Sequence, residues 1–209
     1  NGAHTETTWE EALNLSVDRL KHVRGQHGRE SVAVIGSNRT TNEENYLLQR
    51  FARTVLGTNN LDHHRTADYA SLVGALTAAG AADRYATIED IFAASSLLVI
   101  GSDPTHQHPL VAYQIRQAVR QHGARLYVIN GGEIKLRRQA SLYMKVKPRG
   151  EAEVVRALAA GAPAPADLIE GDAGDFGVLR EKLSRESDTI IIFGDEIRGE
   201  TVRDLVRWG

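Results

Sequence analysis

Reactive residue types are densest in LGTNNLDHHRTAD (56–68), where an acid, two histidines and an arginine follow a turn-forming GTNN. A second histidine pair, His106 and His108, lies in SDPTHQHP (102–109). With Asp62 or Asp103 added, the two pairs have the ligand types of a histidine–carboxylate metal site. Their spacing speaks against one, because adjacent side chains such as His63 and His64 normally point apart. His106 and His108 stand just ahead of Pro109 and are expected to help cap the helix that begins there. Asp62 and Arg65 are expected to form a structural ion pair. NEEN (42–45) places two carboxylates in a first helical turn, where the helix dipole favours acids without any acid–base role. The basic runs RRQ (137–139) and KVKPR (145–149) are expected to be solvated faces. No catalytic residue and no metal ligand is expected.

Glycine-led loops offer a different chemistry. GSNRTTNEE (36–44), GSDPTHQHP (101–109), NGGEIK (130–135) and GDEIRGE (194–200) each follow an apolar run. Three begin with glycine, which lets backbone approach a ligand closely, and two run into helix N-termini, where free N–H groups favour phosphate. A phosphorylated ligand lying across these loops would meet Gly36, Ser37, Gly101, Ser102, Asp103 and Asn130. The same residue types are also what ordinary turns are made of. No GxGxxG, GxxxxGK[ST], GxSxG or HExxH motif is present, which disfavours a self-sufficient dehydrogenase, ATPase, serine hydrolase or zinc protease.

The elements that would position these loops follow from periodicity and capping. Thr8 with Glu11 opens a helix on WEEALNLSVDRL, and Gly25 and Gly28 are expected to end it. SVAVIG (31–36) is of strand type. Thr41 with Glu44 opens a second helix, whose stripe is Tyr46, Leu47, Leu48, Phe51, Val55 and Leu56 and whose stop is Gly57. YASLVGALTAAGAA predicts a short helix and loop, and TIEDIFAAS a helix capped by Thr87. LLVIG (97–101), a loop, PLVAYQIRQAVRQHG with Pro109 first and Gly123 last, and RLYVIN (125–130) form a strand–helix–strand crossover, expected to be right-handed and parallel. SLYMKVKP (141–148) is a further strand, EAEVVRALAAG a helix, FGVLREKL a helix, TIIIFG (189–194) a strand, and a last helix ends at Trp208. GAPAPADLIEGDAGDFG (161–177) has the composition of a linker. The apolar strands do not alternate with polar residues, so the sheet is covered on both faces. The expected fold is α/β with a doubly wound, mainly parallel sheet in Rossmann-like layers.

The bulk numbers bound the function. The 209 residues are 42% hydrophobic and 25% charged, as in ordinary globular proteins, and a net charge of −2 gives no field for nucleic acid. The absence of cysteine removes disulfides, thiolate metal sites and iron–sulfur ligation from this stretch. No apolar run approaches the roughly 20 residues that span a bilayer, so no direct membrane insertion is expected.

WEEAL, TTNEENYLLQRFARTVLGTNNLDHHR and IEDIFAASSLLVIGSDPTHQHPLVAYQIRQAVRQHGARLYVIN together resemble the molybdopterin oxidoreductase family from about Thr8 to Gly161. Within it they look most like the large peripheral-arm subunit of respiratory complex I, the NADH–quinone oxidoreductase. The resemblance implies the formate dehydrogenase/DMSO reductase type of α/β fold, with residues 1–160 as one domain, 161–177 as a linker or loop and 178–209 as a further α/β piece. In active members such loops hold a guanylate-bearing molybdopterin, and a cysteine, selenocysteine or serine after GTNN.D ligates the metal. Gly57, Thr58, Asn59, Asn60, Asp62 and Arg65 match that region, and Gly101, Asp103, Pro104 and Pro109 match the next loop. No cysteine follows Arg65, and Asn130-Gly131-Gly132 stands where Asp-Pro-Arg is usual. Ser71 and Asp68 are the nearest substitutes for the ligand.

The resemblance therefore implies a structural part of complex I. Its pocket at Gly36, Ser37, Gly101, Ser102, Asp103 and Asn130 is vestigial, with no molybdopterin bound. Iron–sulfur clusters would lie elsewhere in the full-length subunit, and the partners would be other peripheral-arm subunits. Its place would be cytoplasmic, at the inner face of the bacterial membrane. The alternatives are a fragment of an active molybdopterin-dependent enzyme such as a formate dehydrogenase, and a nucleotide-binding module without redox activity.

Overall fold

A computed structural model describes residues 4–63, 68–171 and 174–209. The chain divides into two compact units, Asn1–Arg65 and Thr66–Gly209.

In the first unit, helix α1 (Trp9–His27) begins at Thr8, whose hydroxyl accepts from the Glu11 N–H while the Glu11 carboxylate accepts from the Thr8 N–H. It runs through Gly25 and stops at Gly28 in a positive-φ conformation (φ 82°). Strand β1 (Val34–Gly36) leads to α2 (Asn42–Phe51), which carries the same reciprocal cap on Thr41 and Glu44. The helix widens into a π-helical turn, Ala52–Leu56, before Gly57 ends it at φ 71°. Strand β2 (Leu61–His63) then pairs in parallel with β1, Val34 opposite Leu61 and Gly36 opposite His63. The sequence gives no sign of that strand after the GTNN turn, since a three-residue strand leaves no periodicity to read.

Two side chains tie the unit together. Arg24 Nη1 donates to the Val55 carbonyl at 2.8 Å, and Asn60 Nδ2 donates to the Glu30 carbonyl at 2.9 Å. Apart from the buried Leu56, the apolar stripes are not core: Trp9 is 85% exposed, and Leu13, Tyr46, Leu47, Phe51 and Val55 are exposed as well. Neither α1 nor α2 contains a buried residue. A unit this small has little interior to offer them.

The second unit holds α3 (Tyr69–Ala78), α4 (Ile88–Ala93, capped by Thr87), β3 (Ser96–Ile100), α5 (Pro104–Gln107) and α6 (Pro109–His122). It continues with β4 (Arg125–Asn130), β5 (Leu142–Lys145), α7 (Glu151–Ala159), α8 (Gly174–Ser184), β6 (Thr189–Phe193) and α9 (Glu200–Trp208). The sheet order is β5-β4-β3-β6, and every ladder is parallel. Two chain steps run outward from β3 through β4 to β5, and β6 returns to the other side of β3, so the strand order reverses there.

Successive residues of β3 and β4 go to opposite faces. Leu97, Val99, Leu126 and Val128 pack with α4 and α6 through Ile91, Ile115 and Ala118. Leu98, Ile100, Tyr127 and Ile129 pack with α7, α8 and α9 through Val154, Leu179, Val202 and Leu205. Both faces are covered, as the unbroken apolar runs require. The α/β fold with parallel strands stands, in two sheets rather than one.

Loop expectations change in two places. The SDPTHQH stretch contains the one-turn helix α5, because Asp103 accepts from the Thr105 N–H and Pro104 takes the first helical position. Within 161–177, Ile169 is buried and bridges Val146, with Lys147 N donating to Leu168 O at 2.8 Å and Glu170 N to Lys145 O at 2.9 Å. Strand β6 joins the same sheet as β3. Residues 160 and 177 both lie in the second unit, Thr66–Gly209.

Candidate functional site

Ligands in parallel sheets gather at the carboxyl ends of strands beside the reversal in strand order. In the second unit that place is the ends of β3, β4 and β6. Gly101, at φ 55°, receives the Glu196 and Glu151 side chains against the position a Cβ would take, 3.2 and 3.5 Å away. Gly194 is tighter still. A Cβ there would lie 2.0 Å from the Gly101 carbonyl oxygen, so the ends of β3 and β6 meet backbone to backbone.

The polar residues expected to touch a cofactor are engaged within their own loops. The Ser102 hydroxyl faces Gln107 Oε1 at 3.4 Å. Asp103 accepts from the Thr105 N–H at 3.1 Å and pairs with His106 Nδ1 at 2.5 Å. Asn130 Nδ2 donates to the Gly132 carbonyl at 2.9 Å. His106 therefore serves Asp103 and not the cap of α6, and the His108 side chain makes no hydrogen bond to the N-terminus of α6.

Glu151, the first residue of α7, is the group sequence reasoning missed. It is 3% exposed, and its Oε1 accepts from the Gly131 N–H at 2.6 Å. Its Oε2 is buried with no hydrogen-bond partner among the described residues. An unsatisfied buried carboxylate oxygen is costly, and it calls for a donor. The sequence shows only an acid in a first helical turn, the commonest place for one.

The two substitutes for a metal ligand hold each other. Asp68 Oδ1 accepts from the Ser71 N–H at 3.2 Å, and Oδ2 accepts from the Ser71 hydroxyl at 2.6 Å and the Gly199 N–H at 2.9 Å. One carboxylate thus caps α3 and ties it to the start of α9. These bonds, the Ser71 hydroxyl first, hold the Asp68 carboxyl below its usual range. Both oxygens of Asp68 and the hydroxyl of Ser71 are committed to the fold. His64 and Arg65, and with Arg65 the expected pair to Asp62, lie outside the described residues.

Gly36 and Ser37 belong to the first unit, at the end of the other sheet. Asn45 clamps this turn, its Nδ2 donating to Ser37 O at 2.9 Å and its Oδ1 accepting from Ser37 N at 3.3 Å. A cavity of about 320 Å³ opens beside it, lined by Gly36, Asn45, Gln49, Arg53, Asp62 and His63 with Leu48 and Leu61. The two glycine-led sites therefore sit on separate sheets. Among the described residues, no group of three or more His, Asp or Glu is placed to hold a metal ion, and no helix is long and apolar enough to cross a membrane.

The model of the molybdopterin oxidoreductase family matches residues 1–162. A putative formate dehydrogenase of Bacillus subtilis, YrhE, is 35% identical over 70% of this chain and 15% of its own length. The F420-dependent formate dehydrogenase 1 subunit alpha of Methanococcus maripaludis is 36% identical over 76% of this chain and 23% of its own. The acetylene hydratase of Pelobacter acetylenicus shares the fold, with a TM-score of 0.59 at 16% identity over 97% of this chain and 32% of that one. The chain thus spans a minor part of the curated relatives it matches. The expectation of a complex I subunit is overturned, because these relatives are formate dehydrogenases. With that reading go NADH, quinone and the respiratory chain, and the reason to expect peripheral-arm subunits as partners.

Proposed function

This chain belongs to the molybdopterin oxidoreductase family, and on that premise we propose that it is the cofactor-holding α/β part of a formate dehydrogenase-type enzyme. The observation that supports this reading is the unpaired Oε2 of Glu151 at the carboxyl ends of β3 and β4. A buried carboxylate accepts from the adjacent N–H groups of a guanine edge, which presents two donors side by side. Gly101, Gly131 and Gly194 keep the surrounding backbone free of side chains. The residues present thus fit the nucleotide end of the cofactor.

Asp68 and Ser71 add no ligand at its metal end, since both are engaged in the clasp to Gly199. In this reading the chain binds and orients, Glu151 taking the nucleotide and the glycine loops setting its distance from the sheet. The bound cofactor supplies the two-electron chemistry by which formate would be oxidised. Iron–sulfur clusters belong, in the same reading, to parts of the longer polypeptide outside these residues.

The test is the full-length enzyme purified with and without Glu151→Gln, assayed for molybdenum or tungsten and for guanine released on denaturation. The wild type is expected to carry both in stoichiometric amount and to reduce a dye with formate. The variant, which loses one charge-assisted pair, is expected to retain about tenfold less cofactor. A wild-type protein free of metal and guanine would overturn the proposal.

A further inference from the structure

The sheet of the second unit protects one of its edges and leaves the other bare. At the β5 edge the chain returns antiparallel: Ile169 bridges Val146, Lys147 N donates to Leu168 O, and Glu170 N donates to Lys145 O. At the opposite edge, β6 pairs with β3 alone among the described residues. Gly194 N donates to Ile100 O, so the alternation of a parallel ladder turns the N–H groups of Ile190 and Ile192 toward β3 as well. Those of Ile191 and Phe193 then face outward. The strand reads TIIIF and carries none of the charges or prolines that blunt an exposed edge. Its residues are only half-buried, whereas Leu97, Leu98, Val99 and Ile100 opposite them on β3 are fully buried.

The course of the crossovers indicates what covers that edge. From β3 to β4 the chain passes through α6, on the face of Leu97 and Val99, and from β4 to β5 through Leu136 on the same face. Both steps run toward the β5 edge. From β5 to β6 it passes through α7 and α8, on the face of Leu98 and Ile100, and the step runs the other way. Crossovers of one hand behave in this manner, because the face taken by the helix fixes the direction of the step. Helix α9 packs Val202 and Leu205 on the face of α7 and α8. A strand following α9 therefore steps in the direction of β5 to β6, which carries it past β6 to the bare edge.

We propose that the open edge of β6 receives a further parallel strand, formed by the first apolar run after α9 in the longer polypeptide. This rests on the reading of the chain as part of a formate dehydrogenase-type enzyme, whose matched relatives share only 15% and 23% of their own length with it. The Ile191 and Phe193 N–H groups supply the backbone bonds. Ile191 and Phe193 on one face, and Ile190 and Ile192 on the other, give the new strand apolar neighbours on both sides of the sheet. Its sequence is accordingly expected to be unbroken and apolar, like that of β3.

Amide hydrogen exchange of the full-length enzyme, resolved to single residues, tests the strand. The Ile190 and Ile192 amides, held by β3, report that the sheet is folded. The Ile191 and Phe193 amides are expected to be as protected as these, and to exchange at least about tenfold faster once a proline is set at the centre of the run after α9. The 209-residue chain, which lacks that run, gives the same comparison without a substitution, with Ile191 and Phe193 again the faster pair. Fast exchange at these two amides in the unaltered enzyme would overturn the strand. So would protection that is lost on dilution, which assigns the edge to a second copy, and protection indifferent to the proline, which assigns it to another segment. Exchange is read whether or not the enzyme holds molybdenum. Bare amides in a cofactor-bearing enzyme sink the strand alone, and protected amides in an enzyme free of metal and guanine sink the cofactor reading alone.

Discussion

Glu186 holds two residues of β4, Arg125 and Tyr127, that lie 61 and 59 positions earlier in the chain. Its side chain is 3% exposed, its Oε1 accepts from the Tyr127 hydroxyl at 2.6 Å, and both carboxylate oxygens receive the Arg125 guanidinium. The Arg125 bond, followed by Tyr127, holds the Glu186 carboxyl below its usual range against the opposing effect of burial. Burial, aided by the neighbouring carboxylate, pushes the Tyr127 phenol up to about 12. Because the folded pKa of Glu186 lies below the unfolded one, its stabilisation is complete above about pH 4.3 and is lost as the pH falls through the folded value. Glu186→Gln is therefore expected to cost about 2 kcal/mol at pH 7 and progressively less toward pH 3. Melting curves of both proteins across that range check it, and a gap that stays constant with pH would contradict it. Residues whose partners lie within one helical turn were legible beforehand: Thr8, Thr41 and Thr87 cap where the sequence says they should. Asp68 with Gly199, and Glu151 with Gly131, were not, because their partners lie 131 and 20 residues away and no local pattern encodes the meeting.

At the scale of elements, the approach of β3 and β6 depends on one missing side chain. Gly194→Ala would place a methyl 2.0 Å from the Gly101 carbonyl oxygen, and neither backbone can yield without breaking the Gly194 N–H to Ile100 bond. The expected cost is about 3 kcal/mol, read as a lower denaturant midpoint. Gly177 in α8 is the counterpart: a Cβ there meets nothing within 4 Å. Gly177→Ala is expected to stabilise by about 0.5–1 kcal/mol through helix propensity. Equal effects at the two glycines would show that the strand ends are not in contact. Helix α6, with Pro109 and Gly123, and β3, a short but unbroken apolar run, were readable from periodicity and punctuation. Strand β2, helix α5 and the π-helical turn were not, since each is five residues or fewer without such a run and takes its conformation from a neighbouring element. In the Pro- and Gly-rich 161–177 stretch, composition reports the turns but not the buried Ile169 that bridges Val146 just past β5.

At the scale of the whole molecule, the family could be read from the joined motifs, whereas the member of it could not. The missing cysteine after Arg65 pointed to complex I, yet the relatives at 35% and 36% identity are formate dehydrogenases. The clasp of Asp68 on Ser71 and Gly199 gives that position a structural task, whereas Glu151 is the residue to which we propose a binding task at the strand ends. The two assignments separate in one experiment, because removing the clasp affects folding and removing Glu151 affects the cofactor. The most direct measurement is the metal and guanine content of the full-length enzyme beside its Glu151→Gln variant, with melting temperature recorded on the same samples. The account predicts one metal and bound guanine in the wild type, and about a tenfold loss of both in a variant that remains folded. Equal cofactor content in the two proteins, or none in the wild type, would contradict it.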